Sequence, residues 1–261
     1  MISLSSAEIN AWIVAFFFPL ARVLAVLVSA PPFNNPALTV RIRLILGLAI
    51  TLAIAPALPP MPAVDPASGA GLLILAQQML IGFAMGFAIR LVLAAVDLAG
   101  SMISLQMGLG FATAYDPLTA GQTGVVSEFL GLLALLIFMA INGHLMVIAT
   151  LTHSFTAIPI GAALPETGSW WQLARSGALI FSSGLLLALP ILVALLVTNL
   201  ALAILSRAAP QLNLIVIGFP LTITLGFAGL VFGLSYLSQP IQQIFEYGLQ
   251  AMLGNFSPAA R

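Results

Sequence analysis

Residues 178–205 read ALIFSSGLLLALPILVALLVTNLALAIL, a run of 28 residues without an ionisable side chain. A transmembrane α-helix needs about 20 mostly apolar residues, because each residue advances the helix by about 1.5 Å through a hydrocarbon layer about 30 Å thick. The run therefore predicts a helix that crosses a membrane.

Five further stretches are similarly apolar. They run over residues Ile9–Ala30, Ala37–Leu58, Leu72–Val92, Phe129–Leu151 and Leu212–Leu237. Two other elements, Ala94–Leu109 and Pro240–Leu253, mix apolar and polar side chains and are expected to form amphipathic helices. The sequence thus predicts an all-α polytopic membrane protein of about six hydrophobic helices plus amphipathic ones, with proline- and glycine-rich loops between them.

The composition supports a membrane location and excludes several functions. The chain of 261 residues is 61% hydrophobic and only 5% charged, whereas globular domains carry about 25% charged residues. Its apolar surface must therefore face lipid or equally apolar subunits. Seven basic and seven acidic residues balance, so no basic patch indicates nucleic acid. The absence of cysteine excludes disulfides and thiolate metal sites. The N-terminus lacks the basic region of a cleavable signal peptide, so we expect the first apolar segment to stay in the mature protein.

Polar side chains interrupt the apolar pattern, and each needs a physical reason. They are Arg22, Gln77, Gln78, Arg90, Asp97, Gln106 and Glu128. A charge placed in hydrocarbon costs about 2.5–3.5 kcal/mol on insertion scales. Such residues line a polar pathway or contact another subunit; alternatively, Arg90 and Asp97, seven residues apart on one helix face, pair locally or extend to water. Glu128 opens an apolar stretch, where a carboxylate suits the positive N-terminus of a helix.

No pattern typical of catalysis or of a bound cofactor or metal occurs. The sequence lacks HExxH, GxSxG and phosphate-loop motifs, so we expect neither enzymatic activity nor a cofactor. His144 and His153 either relay protons or lie at helix ends bonded to loops. Gln211 and Asn213 are polar groups in an apolar setting that need partners, and we expect them to dock the last apolar hairpin onto a neighbour.

Three stretches together resemble the FliR family of flagellar biosynthesis proteins, which includes related components of virulence type III secretion systems. They are GLGFATAYDP at 108–117, NGHLMVIATLTHSF at 142–155 followed by IPIG at 158–161, and APQLNLIVIGFP at 209–220. The early PPF at 31–33 and RIR at 41–43 also fit. The resemblance covers nearly the whole chain, and the polar PQLN entry into an apolar helix is its most specific feature.

The resemblance implies a fold and a set of partners. Members join FliP and FliQ in a closed helical assembly of the bacterial inner membrane, in the flagellar basal body, through which unfolded export substrates leave the cytoplasm. FlhB contacts this gate and FlhA lies nearby. By the same resemblance, residues 1–177 form a FliP-like helical unit and residues 178–261 a FliQ-like hairpin and tail. Many helices of the assembly stand outside the bilayer plane.

The resemblance also implies a pore plug, formed by a loop that closes the resting gate. The matching positions are Gly108, Gly110, Phe111, Tyr115, Asp116, Pro117 and Gly121. Glycine permits unusual backbone angles, and the two aromatic side chains supply bulk. Irregular backbone at membrane depth is tolerated only inside protein or a water-filled cavity. From the residues alone, an exposed interhelical loop is an equal alternative.

Three other functions remain open at this point. The first is the equivalent subunit of a virulence type III secretion system. The second is a small-molecule secondary transporter with a site near Arg90, Asp97 and Gln106, although the sequence shows no internal repeat of the kind common in such transporters. The third is an intramembrane enzyme, for which catalytic residues are wanting.

Overall fold

A computed structural model describes residues 6–62, 64–110, 124–162, 167–209 and 214–254. Within these ranges the chain forms eight α-helices and no strand. They are α1 (Ser6–Ser29), α2 (Val40–Ile54), α3 (Gly69–Gln106), α4 (Val125–Ala140), α5 (Gly143–Ala157), α6 (Thr167–Arg175), α7 (Ala178–Ala208) and α8 (Leu214–Gly254). A 3₁₀ turn, Ala55–Ala57, follows α2. The predicted all-α membrane fold is confirmed.

The described helices supply four apolar segments long enough to cross a membrane, or five if the bent pair α4 and α5 is one broken span. The segments contain α2, α3, α7 and α8, whereas the apolar part of α1 is shorter. The amphipathic stretches do not form separate helices. Residues 94–106 of the first stretch continue α3 without a break and residues 107–109 form a turn, whereas Pro240–Leu253 continues α8.

The stretch Phe129–Leu151 was expected to be one span, and this expectation is wrong in detail. The chain breaks between α4 and α5, which meet at an angle of 67°. Asn142 at the break has φ 57° and ψ 30°, a left-handed conformation. Asparagine tolerates this conformation better than most residues, so a single residue turns an otherwise uniformly apolar run.

The chain divides into two compact units. The first contains residues 1–91, 142–177 and 246–261, and the second contains residues 92–141 and 178–245. Helices α3 and α8 each contribute residues to both units. The expected division into a FliP-like and a FliQ-like part follows a different boundary and stays a prediction.

In the first unit, small residues bring α1, α2 and α3 close together. A Cβ atom added at Gly82 of α3 would lie 2.5 Å from the carbonyl oxygen of Arg22 in α1. One turn further along α3, a side chain at Gly86 would collide with Ser29. Gly47 of α2 leaves room for the side chain of Leu24 in α1. These backbones approach to a distance that only glycine permits.

In the second unit, α3 packs closely against α4 and α7. A Cβ atom at Gly100 of α3 would meet the backbone of Ser127 in α4, and one at Gly184 of α7 would lie 2.8 Å from the carbonyl oxygen of Ala95. The rings of Phe138 and Phe245 contact each other at a tilt of 43°, with their centroids 4.8 Å apart. The C-terminal part of α3 therefore forms the centre of this unit.

Candidate functional site

The predicted polar residues that the structure describes occupy very different environments. Arg22 is fully buried, with none of its surface exposed. Arg90, Asp97 and Glu128 are exposed, and Gln106 is half-buried. Gln211 and Asn213 lie outside the described residues, as do Phe111, Tyr115, Asp116, Pro117 and Gly121. The set thus separates into one internal arginine and three charged side chains on the outside of the isolated chain.

The guanidinium of Arg22 is held entirely by neutral oxygen atoms. Its Nε donates to Gln78 Oε1 at 2.9 Å, and one Nη donates to the carbonyl and hydroxyl oxygens of Ser154 at 2.9 and 3.0 Å. The other Nη donates to Gln78 Oε1 and, at 2.9 Å, to the carbonyl oxygen of Ile158. An arginine side chain has five N–H groups, and these five contacts use all of them. The ring of Phe155 covers one face of the guanidinium, 4.3 Å from the ring centroid.

The position of Arg22 explains how a cation survives in this core. Ser154 and Ile158 lie in the last turn and at the C-terminal cap of α5. The carbonyl groups at a helix C-terminus lack partners within the helix and carry a partial negative charge. From α1, Arg22 donates to the carbonyl of Ile158 and gives a second donor to that of Ser154, which also accepts from the Ile158 amide. Gln78 holds the guanidinium from α3. The cluster therefore fastens three helices of the first unit.

Gln78 could not have been assigned this role from sequence, because its partner lies 56 residues away. It is fully buried, and among the described residues its Nε2 has no hydrogen-bond partner. The neighbouring Gln77 donates to the carbonyl oxygen of Ala162 at 2.9 Å. Two adjacent polar residues in an apolar stretch were the available signal, and both serve to hold the region around the end of α5.

The segment predicted to form the plug leaves the end of α3 through a left-handed turn. Gly108 has φ +83°, a conformation that glycine adopts without strain. A Cβ atom there would lie 2.5 Å from the ring of Phe219 in α8. The amide of Gly108 donates to Leu105 and that of Leu109 to Ser104, which closes the end of the helix. The predicted plug segment thus begins at a capped helix end with a defined backbone turn, and not at a frayed one.

The chain returns to α3 at Gly124, the N-cap of α4. A Cβ atom at Gly124 would lie 3.2 Å from Ser104 Oγ. Ser127 Oγ donates to the carbonyl oxygen of Asp97 at 3.1 Å and lies 3.0 Å from Ser101 Oγ. The hydroxyl groups of Ser101 and Ser127 fasten the first turn of α4 to α3. Residues 104–108 and 124–127 therefore form one closely packed base, from which the segment between them leaves and to which it returns. We call this base the loop anchor.

Helix α8 completes the loop anchor through two residues that sequence reasoning missed. Thr222 Oγ1 lies 3.0 Å from the carbonyl oxygen of Met107. Gly226, one turn further, leaves the space that the Met107 side chain fills: a Cβ atom there would lie 2.5 Å from Met107 Cγ. A threonine and a glycine one helical turn apart were the available signal, but the sequence does not indicate which helix they face.

Comparison with known proteins adds to this geometry. Residues 13–248 match the model of the bacterial export proteins, family 1. The chain belongs to this family. It is 45% identical over 226 residues to the flagellar biosynthetic protein FliR of Pectobacterium carotovorum subsp. carotovorum, covering 87% of this chain and 86% of the relative. It is 43% identical over 228 residues to that of Escherichia coli (strain K12), with 87% of each covered.

More distant relatives carry the same name. The flagellar biosynthetic protein FliR of Bacillus subtilis (strain 168) is 30% identical over 244 residues, covering 91% of this chain and 93% of the relative. The resemblance drawn from the three sequence stretches is therefore confirmed. The chain is a membrane-embedded member of the bacterial export proteins, family 1, and its relatives are named for flagellar biosynthesis.

Proposed function

We propose that this chain is a subunit of the flagellar protein-export gate, a channel that passes unfolded flagellar proteins out of the cytoplasm. Family membership and the names of the relatives support an export role. The observation that carries the proposal further is the extended apolar surface that the described helices leave exposed. Such a surface needs lipid or apolar protein neighbours.

Helix α7 illustrates such an exposed apolar surface. It contains 31 residues and is therefore about 46 Å long. A hydrocarbon layer about 30 Å thick is crossed in about 39 Å even at a tilt of 40°. Exposed apolar side chains continue along its length, from Leu186 through Val193 and Leu200 to Ile204. From Leu186 to Ile204 this face is about 27 Å long, and it can lie against lipid or against an apolar surface of another subunit.

The partners in this proposal are FliP and FliQ within the gate, FlhB in contact with it and FlhA nearby, in the bacterial inner membrane at the flagellar basal body. Residues 1–177 take the place of a FliP-like unit and residues 178–261 that of a FliQ-like hairpin and tail. Support comes from the resemblance of the sequence stretches to the family.

The exposed charged residues are proposed to contact these partners. Arg90, Asp97 and Glu128 are exposed on helices rich in apolar side chains, and a charge facing hydrocarbon is costly. A polar or oppositely charged group of a neighbouring subunit would remove this cost. Gln211 and Asn213 are proposed to dock the final hairpin in the same way. The names of the relatives favour flagellar over virulence export, and no observation on the described residues favours a small-molecule transporter.

The segment Gly108–Gly121 is proposed to close the resting pore. The glycine corner at Gly108 and the closed base at Gly124 support this, because a plug must be held at both ends. Its own sequence supplies the bulk through Phe111 and Tyr115. The alternative of an exposed interhelical loop predicts no effect on permeability, which separates the two interpretations.

Shortening the segment by deleting Phe111–Asp116 tests this function. In cells that produce all other flagellar export components, we expect the shortened chain to raise K⁺ efflux, because nothing would then fill the pore. The matched control shortens the proline-rich connection Pro59–Pro62 after the 3₁₀ turn. Unchanged efflux from a membrane that contains the assembled variant would contradict the plug.

A further inference from the structure

Thr222 of α8, which completes the loop anchor, carries a hydroxyl group with several possible acceptors. Thr222 Oγ1 lies 3.0 Å from the carbonyl oxygen of Met107 at the end of α3. It also lies 3.1 Å from the carbonyl oxygens of Gly218 and Phe219 in its own helix. A threonine hydroxyl has a single O–H donor, so these carbonyl groups compete for one proton.

The bond to Met107 is the one that the surrounding structure needs. Met107 follows the last residue of α3, and carbonyl groups at a helix C-terminus have no amide partner within the helix. In α8, by contrast, the carbonyl of Gly218 lies four residues before the amide of Thr222 and is the acceptor of the regular helical bond. Thr222 is buried, so without its hydroxyl the Met107 carbonyl would lose this donor at a point away from water.

Packing at the same point reinforces the contact. The side chain of Met107 is fully buried and fits against Gly226, four residues after Thr222 and so on the same face of α8. The next residue, Gly108, turns the chain away with φ +83° and lies against the ring of Phe219. The turns of α8 around Thr222 thus contact the end of α3 at three points. Thr222 bonds to its last carbonyl, Gly226 receives the Met107 side chain, and Phe219 lies against the turn at Gly108.

We propose that Thr222 is a positioning residue of the gate, whose hydrogen bond to Met107 lets α8 set the point at which the chain leaves α3. This inference rests on the proposed function, in which the segment after Met107 closes the pore.

The variant Thr222→Val keeps the shape of the side chain and removes the hydroxyl. In cells that produce all other export components, we expect K⁺ efflux to rise about two- to tenfold, the change in population that follows from losing one neutral hydrogen bond. Thr222→Ser retains the hydroxyl donor, so we expect efflux to stay low in this variant. Thr224→Val is the matched control, because within the described part of the chain the exposed Thr224 hydroxyl bonds to the carbonyl of Pro220 in its own helix.

The abundance of the chain in membranes and the yield of the complex are measured alongside, because a purely structural role would lower these and leave the permeability per complex unchanged. If the variant with Phe111–Asp116 deleted leaks and Thr222→Val does not, the positioning role is overturned while the proposed function stands. If neither leaks, the proposed function fails and the role of Thr222 fails with it.

A second variant covers the case in which Thr222→Val is depleted from the membrane. Gly226→Ala displaces the flexible Met107 side chain and keeps the hydroxyl, so it disturbs the same anchor by another route. Increased efflux is expected from it as well. Normal efflux from Gly226→Ala at normal abundance would overturn the proposal.

Discussion

At the scale of single residues, the buried guanidinium of Arg22 shows how this chain tolerates a charge in its core. The side chain donates five hydrogen bonds to four oxygen atoms of Gln78, Ser154 and Ile158, with the ring of Phe155 on its face. The partial negative charge at the end of α5 replaces a carboxylate. The cost of burying Arg22 is offset locally, so its role is to hold helices of one unit together.

Replacing Arg22 by methionine keeps the volume but removes the donor from two buried acceptors, Gln78 Oε1 and the carbonyl oxygen of Ile158. We expect Arg22→Met to reduce the free energy of unfolding by about 2–5 kcal/mol, because each buried acceptor left unpaired costs about 1–3 kcal/mol. Arg22→Lys should recover only part of the loss, because an ammonium group lacks the planar fork of a guanidinium. Thermal unfolding of the purified chain in detergent measures this change. The exposed Arg41 provides the control Arg41→Met, and equal stability of the two methionine variants would show that the cluster is dispensable.

At the scale of elements, the break between α4 and α5 determines where Arg22 finds its acceptors. Asn142 adopts a left-handed conformation and its carbonyl accepts from Leu145 and Met146 at the start of α5. An uninterrupted helix through this point would send the following residues in another direction, since the two helices meet at 67°. The break therefore places the C-terminus of α5 within the first unit.

Substitutions at Asn142 test this dependence. Asn142→Val should lower the free energy of unfolding by about 1–2 kcal/mol, because a β-branched residue adopts the left-handed conformation with strain. Asn142→Gly should leave stability nearly unchanged, since glycine adopts it freely. Thermal unfolding monitored by tryptophan fluorescence compares the two. A valine variant as stable as the glycine variant would mean that the bend does not depend on this residue.

These examples show which parts of the structure the sequence could predict. Long apolar runs such as 178–205 predict helices because burial of apolar side chains dominates in lipid. The break at Asn142 escapes a hydropathy pattern, which does not contain backbone angles. The continuity of α3 was also missed, because Asp97 and Gln106 lower the hydropathy without interrupting the helix. The partners of Arg22 lie up to 136 residues away, and no local pattern indicates such contacts.

The candidate site was predictable to a different extent. Gly108 was singled out for its conformational freedom, and its φ of +83° uses that freedom. Arg22 was singled out for its charge, but its burial and its acceptors depend on three helices folding together. Thr222 and Gly226 were missed, because a small or hydroxylated residue in an apolar helix gives no sign of what it faces. The sequence therefore indicates which residue types could form a site, but it does not indicate which residues contact one another.

At the scale of the whole molecule, the isolated chain leaves an unusually large apolar surface uncovered. Phe232 of α8 is 84% exposed, and Leu73, Phe181 and Val231 are also largely exposed. Isolated apolar side chains on a surface need no explanation, but long continuous faces indicate lipid or protein neighbours. Together with family membership, this surface makes assembly with other subunits the central claim of the account.

Native mass spectrometry of the tagged chain, co-expressed with FliP and FliQ from the same genome, tests that claim most directly. We predict a single discrete complex that contains one copy of this chain together with both partners. A monodisperse chain that purifies alone, despite good expression of both partners, would contradict the account and would direct attention to small-solute transport.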